Sequence, residues 1–107
     1  ASFNNKQQGY GCMGLSALYS SSKSTTPEQA RSVIHHALRK GVTLFNSATF
    51  YGDLNEVGFG ANLRLLRHCF EGVDRSSYQL MVKIGLDTRY VFVQHIDFNI
   101  IKYISLF

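Results

Sequence analysis

Two side chains in this sequence, Tyr51 and Lys83, stand where together they could move a proton to a carbonyl oxygen. Tyr51 follows the apolar run that begins at Gly41, and Lys83 stands near the end of a second run, Leu80 to Gly85. A phenol beside an ammonium group can give its proton to a carbonyl oxygen, because the cation stabilises the phenolate left behind. Asn46, in the first of the two runs, offers an amide oxygen that an ammonium can bond. A lysine inside Met81-Val-Lys-Ile84 would be costly to bury without a partner, which favours a functional place at a strand end over a structural one.

These residues need elements to position them. The clearest is a helix from Pro27: Thr26 is a good N-cap, Pro27 suits the first helical position, and Gln29 completes a capping box. Ala30, Val33, Ile34, Ala37 and Leu38 fall on one face, Arg39 and Lys40 complement the dipole in the last turn, and Gly41 ends it. Val42–Phe45 is β-branched and apolar and reads as a buried strand, followed by a loop from Asn46 to Leu54. A second helix is expected near Asn55, with Val57, Phe59, Leu63, Leu66 and Phe70 as its apolar face and Gly72 as its stop. Tyr78–Ile84 reads as a third strand. Before the first helix, the glycine-rich Gly9–Gly14 reads as a short strand and turn that lets a backbone or ligand approach closely.

The order strand, helix, strand, helix, strand predicts an α/β fold, a parallel βαβαβ segment. In such sheets, reactive residues gather beyond the carboxyl ends of the strands. Asn46, Tyr51 and Lys83 then share one rim. The last segment, Tyr90–Phe107, is aromatic and β-branched; its pattern does not decide between strand and helix, and it reads as an adhesive apolar tail.

The 107 residues favour one domain at most. No apolar run reaches the ~18–20 residues of a membrane span, and Ala1–Gln8 does not read as a signal peptide. The start without methionine suggests a fragment or processed chain. Cys12 and Cys69 are expected to be reduced thiols in a cytoplasmic protein. The net charge of +4 arises mainly before Gly41 and is too scattered to argue for nucleic acid. His35 and His36 are adjacent on the helix rather than four apart, so no metal role is expected.

Gly9-Tyr-Gly-Cys-Met-Gly-Leu-Ser16 resembles the N-terminal strand of the aldo-keto reductases. Ile34–Thr43, then Leu44–Ala48, then Tyr51-Gly52 with Asn55-Glu56, is similar to that family's helix–strand–loop signature, and Met81–Gly85 matches its lysine strand. The resemblance covers about residues 9–89. It implies a (β/α)8 TIM barrel that reduces aldehydes and ketones with NADPH, Tyr51 protonating the oxygen and Lys83 making that phenol a better acid. It also implies that the partner is a small carbonyl compound. Gly11, Cys12 and Met13 are expected either to lie against the nicotinamide side or to serve plain strand packing. The run lengths and scattered charge give no reason to expect a membrane or nucleic-acid partner. The oligomeric state is not implied.

Two positions depart from the family's pattern. Asn46 stands where the family has an aspartate paired with the lysine, so the hydrogen bond survives but the charge balance does not. Gln94-His95 resembles the segment that carries the family's histidine, yet only eleven residues separate Lys83 from His95, too few for a helix and a new strand between them. A whole barrel takes ~250 residues. The chain is therefore expected to be truncated, with residues 1–89 forming the N-terminal part of the barrel and residues 90–107 the tail. Three functions follow: a carbonyl reductase represented by its N-terminal part, a non-catalytic nucleotide-binding or regulatory relative, or an inert truncated product.

Overall fold

The first helix forms as its sequence dictates. In this computed structural model, which describes residues 8–16, 24–53 and 55–85 together with the backbone of 102–106, helix α1 spans Pro27–Arg39. The Gln29 backbone N–H donates to Thr26 Oγ1 at 3.1 Å and the Thr26 N–H donates to Gln29 Oε1 at 2.8 Å, so the capping box is complete. Ala30, Ile34 and Ala37 are buried; Val33, on the margin of the same face, is exposed. Gly41 takes a positive φ of 89°, which turns the chain sharply out of the helix.

Strand β1 (Gly9–Gly11) is followed by a single 3-10 turn, Met13–Leu15. Strand β2 is Leu44–Ala48, not Val42–Phe45. The Val42 N–H is spent on the Ala37 carbonyl at the end of α1 (3.0 Å), which delays strand pairing to Leu44. Pairing then runs on through Asn46, Ser47 and Ala48, so Asn46 lies within the strand and not in the loop. Helix α2 is Ala61–Cys69 and does not begin near Asn55. Gly58 and Gly60 interrupt the earlier turns, and Gly60 sits in the left-handed region at φ 78°. The Asn55 side chain instead closes a turn by accepting the Gly58 N–H at 2.8 Å. Val57 is 81% exposed and belongs to no apolar face; the face that α2 buries is Asn62, Leu66 and Cys69. Strand β3 is Gln79–Ile84, one residue shorter than expected at its start.

The sheet order is β1-β2-β3-β4. β1, β2 and β3 are parallel with helices between them, the expected βαβαβ arrangement. β4 (Lys102–Leu106) adds to the β3 edge in the antiparallel sense, which answers for that part of the tail as strand. His95 lies outside the described residues, as do Leu54 and the rest of the tail up to Ile101.

Side chains alternate across a strand. Tyr10, Phe45, Ser47, Leu80 and Val82 therefore face one side, in register with each other. Phe45, Ile34, Leu66, Cys12 and Cys69 form the centre of the core on that side, with Phe70 edge-on to Phe45 at 5.0 Å. Fully burying each of the large members contributes about 2 kcal/mol. The two helices are also tied through polar groups. The Arg31 guanidinium on α1 donates to the carbonyls of His68 (2.8 Å) and Glu71 (3.1 Å), and His35 Nε2 lies 2.7 Å from the Cys69 carbonyl. These carbonyls belong to the end of α2, where backbone acceptors lack partners and cations are favoured.

Candidate active site

The opposite face of the sheet carries Gly9 and Gly11 on β1, Leu44, Asn46 and Ala48 on β2, and Met81 and Lys83 on β3. Asn46, Met81 and Lys83 are half-buried there. Ala48 and Lys83 are register partners near the carboxyl ends of their strands. The Thr49 N–H extends the pairing by donating to the Lys83 carbonyl at 3.1 Å. The chain then turns, with the Tyr51 N–H on the Ala48 carbonyl at 3.3 Å, and this turn brings the Tyr51 ring back over the strand end.

Lys83 Nζ donates to Asn46 Oδ1 at 2.8 Å and to the Tyr51 hydroxyl oxygen. Three of the sequence-predicted residues thus share one hydrogen-bonded group. The ammonium lies 4.7 Å from the Tyr51 ring centroid, but its contact with the oxygen puts it at the hydroxyl end of the ring and not over the π face. Two of the three ammonium N–H groups are used in these bonds. Because Lys83 donates to the Tyr51 oxygen, the phenol's own hydrogen is left to point elsewhere. Tyr51 is 7% exposed, packed against Ala48, Met13 and Phe50, and burial strengthens the effect of a neighbouring charge.

The glycine-rich segment divides. The Cys12 thiol turns into the core and is fully buried, and burial pushes it up to about 12, so it is no nucleophile. Its backbone N–H bonds the Asn46 carbonyl at 2.9 Å. Met13 packs beside Tyr51. Gly11 shares that face with Asn46, and a Cβ placed on it would meet none of the described residues within 4 Å.

The loop between Tyr51 and α2 is shaped by close backbone approach. A Cβ on Gly52 would stand 2.1 Å from the Gly58 carbonyl oxygen, so only glycine fits. Sequence reasoning missed the residue this loop leads to. Asn62 is fully buried; its Nδ2 donates to the Cys12 carbonyl (2.8 Å) and to Ser16 Oγ (2.7 Å), and its Oδ1 accepts from Ser47 Oγ at 2.5 Å. The available signal was its place four residues before Leu66, a polar residue on the face that α2 buries.

Among the described residues, no group of three His, Cys, Asp or Glu side chains could hold a metal, and no helix is long and apolar enough to cross a membrane.

The sequence matches the model of the Aldo/keto reductase family over residues 9–100. It is 33% identical over 88 residues to a protein named probable aldo-keto reductase 1 from Glycine max, an alignment that takes in 81% of this chain and 23% of that protein. The chain therefore spans about a quarter of the length of this curated relative.

Proposed function

Since this chain belongs to the aldo/keto reductase family, we propose that it carries the proton-donating centre of an NADPH-dependent reduction of aldehydes or ketones to alcohols. The observation that carries this reading is the contact of Lys83 Nζ with the Tyr51 hydroxyl, held from the other side by Asn46. Tyr51 is the general acid that protonates the carbonyl oxygen. Lys83 stabilises the phenolate that remains, and Asn46 holds the ammonium in place.

A nicotinamide would supply the hydride when bound. The residues present suit a flat ring: among the described residues the face beside Lys83 is open at Gly11, where no Cβ intrudes, and Met13 offers an apolar flank next to Tyr51. We assign Gly11, the Cys12 backbone and Met13 to that end of the cofactor. Two buried free thiols fit a reducing compartment, and we assign the protein to the cytoplasm.

One observation favours a second reading. With Asn46 as its partner, Lys83 has no carboxylate in this group, which suits a relative that binds the cofactor without turning it over. Loss of NADPH absorbance with an aromatic aldehyde separates the two. Turnover that disappears in Tyr51→Phe supports the reductase. Tight NADPH binding with no turnover in the unaltered chain supports the binding-only relative and overturns the reductase.

A further inference from the structure

We infer that Asn62 is a positioning residue for Tyr51: a buried amide that locks three site-bearing segments to one another and so sets where the phenol meets Lys83. The inference rests on the reading of Tyr51 as proton donor, but its geometry is separate from the Tyr51–Lys83 contact itself.

Asn62 is fully buried and uses both of its amide hydrogens. One goes to the Cys12 carbonyl, in the segment that leaves β1 beside Asn46. The other goes to Ser16 Oγ, and that hydroxyl in turn donates to the Tyr51 carbonyl at 3.1 Å. The Asn62 backbone N–H donates to the same Tyr51 carbonyl at 3.1 Å. The amide oxygen accepts from Ser47, the neighbour of Asn46 on β2. A single side chain thus connects the segment after β1, the end of β2 and the Tyr51 backbone, and it does so from the helix side of the sheet, opposite Lys83. The Tyr51 main chain is held by two converging donors on its carbonyl, so its ring has a fixed origin. An apolar residue at position 62 would satisfy the helix pattern equally well but would leave the Ser47 hydroxyl without its acceptor and Ser16 without its donor. A displacement of about 1 Å at a reacting group is enough to cost roughly a hundredfold in rate.

The test is carbon NMR of the full chain labelled at tyrosine Cζ, with the Tyr51 resonance assigned by its loss in Tyr51→Phe. Lys83→Met sets the resonance of the phenol without its ammonium neighbour. In Asn62→Ala, the Tyr51 resonance is expected to move toward the Lys83→Met position, while Tyr10 and Tyr78, in the core on the helix side, stay in place. A Tyr51 resonance that stays at its original position with Tyr10 and Tyr78 unmoved overturns the inference. If Asn62→Ala unfolds, so that all three resonances collapse together, Ser16→Ala decides: it removes one donor from the Tyr51 carbonyl, and movement of Tyr51 alone supports the inference while its absence overturns it. NADPH turnover is read separately. No turnover in the unaltered chain defeats the reductase reading and leaves the NMR result standing. With turnover present, Asn62→Ala is expected to lower kcat about tenfold to a hundredfold with KM little changed, as for a residue that acts through the proton donor.

Discussion

Lys83 bonds Asn46 although the two are not partners in the sheet. The register pairs Lys83 with Ala48 and pairs Asn46 with Met81, yet Lys83 Nζ lies 2.8 Å from Asn46 Oδ1. The lysine side chain therefore runs back along β2 by one same-face position, across Ala48. A methyl group at position 48 leaves that path open, and the fully buried Ala48 also packs against Tyr51. The small residue between Asn46 and Tyr51 is what lets one ammonium reach both.

Ala48→Leu should therefore act on the site more than on the fold. The added methyl groups occupy the path of the Lys83 chain and press on Tyr51. Overpacking of this kind costs about 1–3 kcal/mol, while under the proposed reductase function the separation of Lys83 from Tyr51 is expected to abolish turnover. The measurement is a thermal melt alongside NADPH turnover. A variant that keeps full activity would mean that Ala48 does not shape the lysine path.

Under the proposed reductase function, Asn46→Asp is expected to raise the turnover number by about tenfold to a hundredfold. Asparagine supplies the hydrogen bond to Lys83 but no charge, and charged partners near a reacting group are worth about that much. The carboxylate would occupy the same position as the amide, 2.8 Å from the ammonium, so little rearrangement is needed. Steady-state kinetics of both forms check this. An unchanged or lower turnover number would show that the neutral partner suits this chain's own chemistry.

Much of this arrangement could be read from the sequence, because the signals were local. Thr26, Pro27 and Gln29 specify a helix start by short-range hydrogen bonds, and Gly41 specifies its end. The meeting of Tyr51 with Lys83 was legible from the strand ends alone. What could not be read was set by long-range competition. Val42 looks like strand but gives its N–H to α1, and Asn46 looks like loop but is carried into β2 by pairing with β3. The start of α2 was misplaced because Asn55 can cap a helix or close a turn, and the glycines that follow decide for the turn. Asn62 escaped notice because its partners, Cys12, Ser16 and Ser47, are far away in sequence.

The two thiols predict how stability depends on pH. Burial is the main cause that pushes Cys12 up to about 12 and Cys69 up to about 11, whereas a thiol in the unfolded chain ionises near ~8.5. Above that value the unfolded state binds fewer protons than the folded one, so stability falls as pH rises. Their contribution is whole below about pH 8.5 and is lost as pH climbs toward about 11–12. Urea midpoints should drop between about pH 7 and about pH 10, and the drop should shrink in Cys12→Ala. An equal drop in that variant would assign the effect to other groups.

Thr49 and Ser47 make the sharpest comparison of stability, since similar hydroxyls lie two residues apart with opposite expectations. Ser47 Oγ donates to Asn62 Oδ1 at 2.5 Å and is fully buried. Thr49 Oγ1 is buried with no hydrogen-bond partner among the described residues, at the edge of an apolar cleft of about 490 Å³ lined by Leu63, Leu66, Phe70, Leu80 and Val82 among others. Thr49→Val exchanges an unpaired hydroxyl for a methyl group of the same shape in an apolar setting and should stabilise by about 1 kcal/mol. Ser47→Ala removes a satisfied donor and leaves the Asn62 oxygen without its bond, which should destabilise by about 1–3 kcal/mol. Paired urea titrations give both values under one condition. Loss of stability in Thr49→Val would mean that its hydroxyl has a partner, for which water in the cleft is the natural choice.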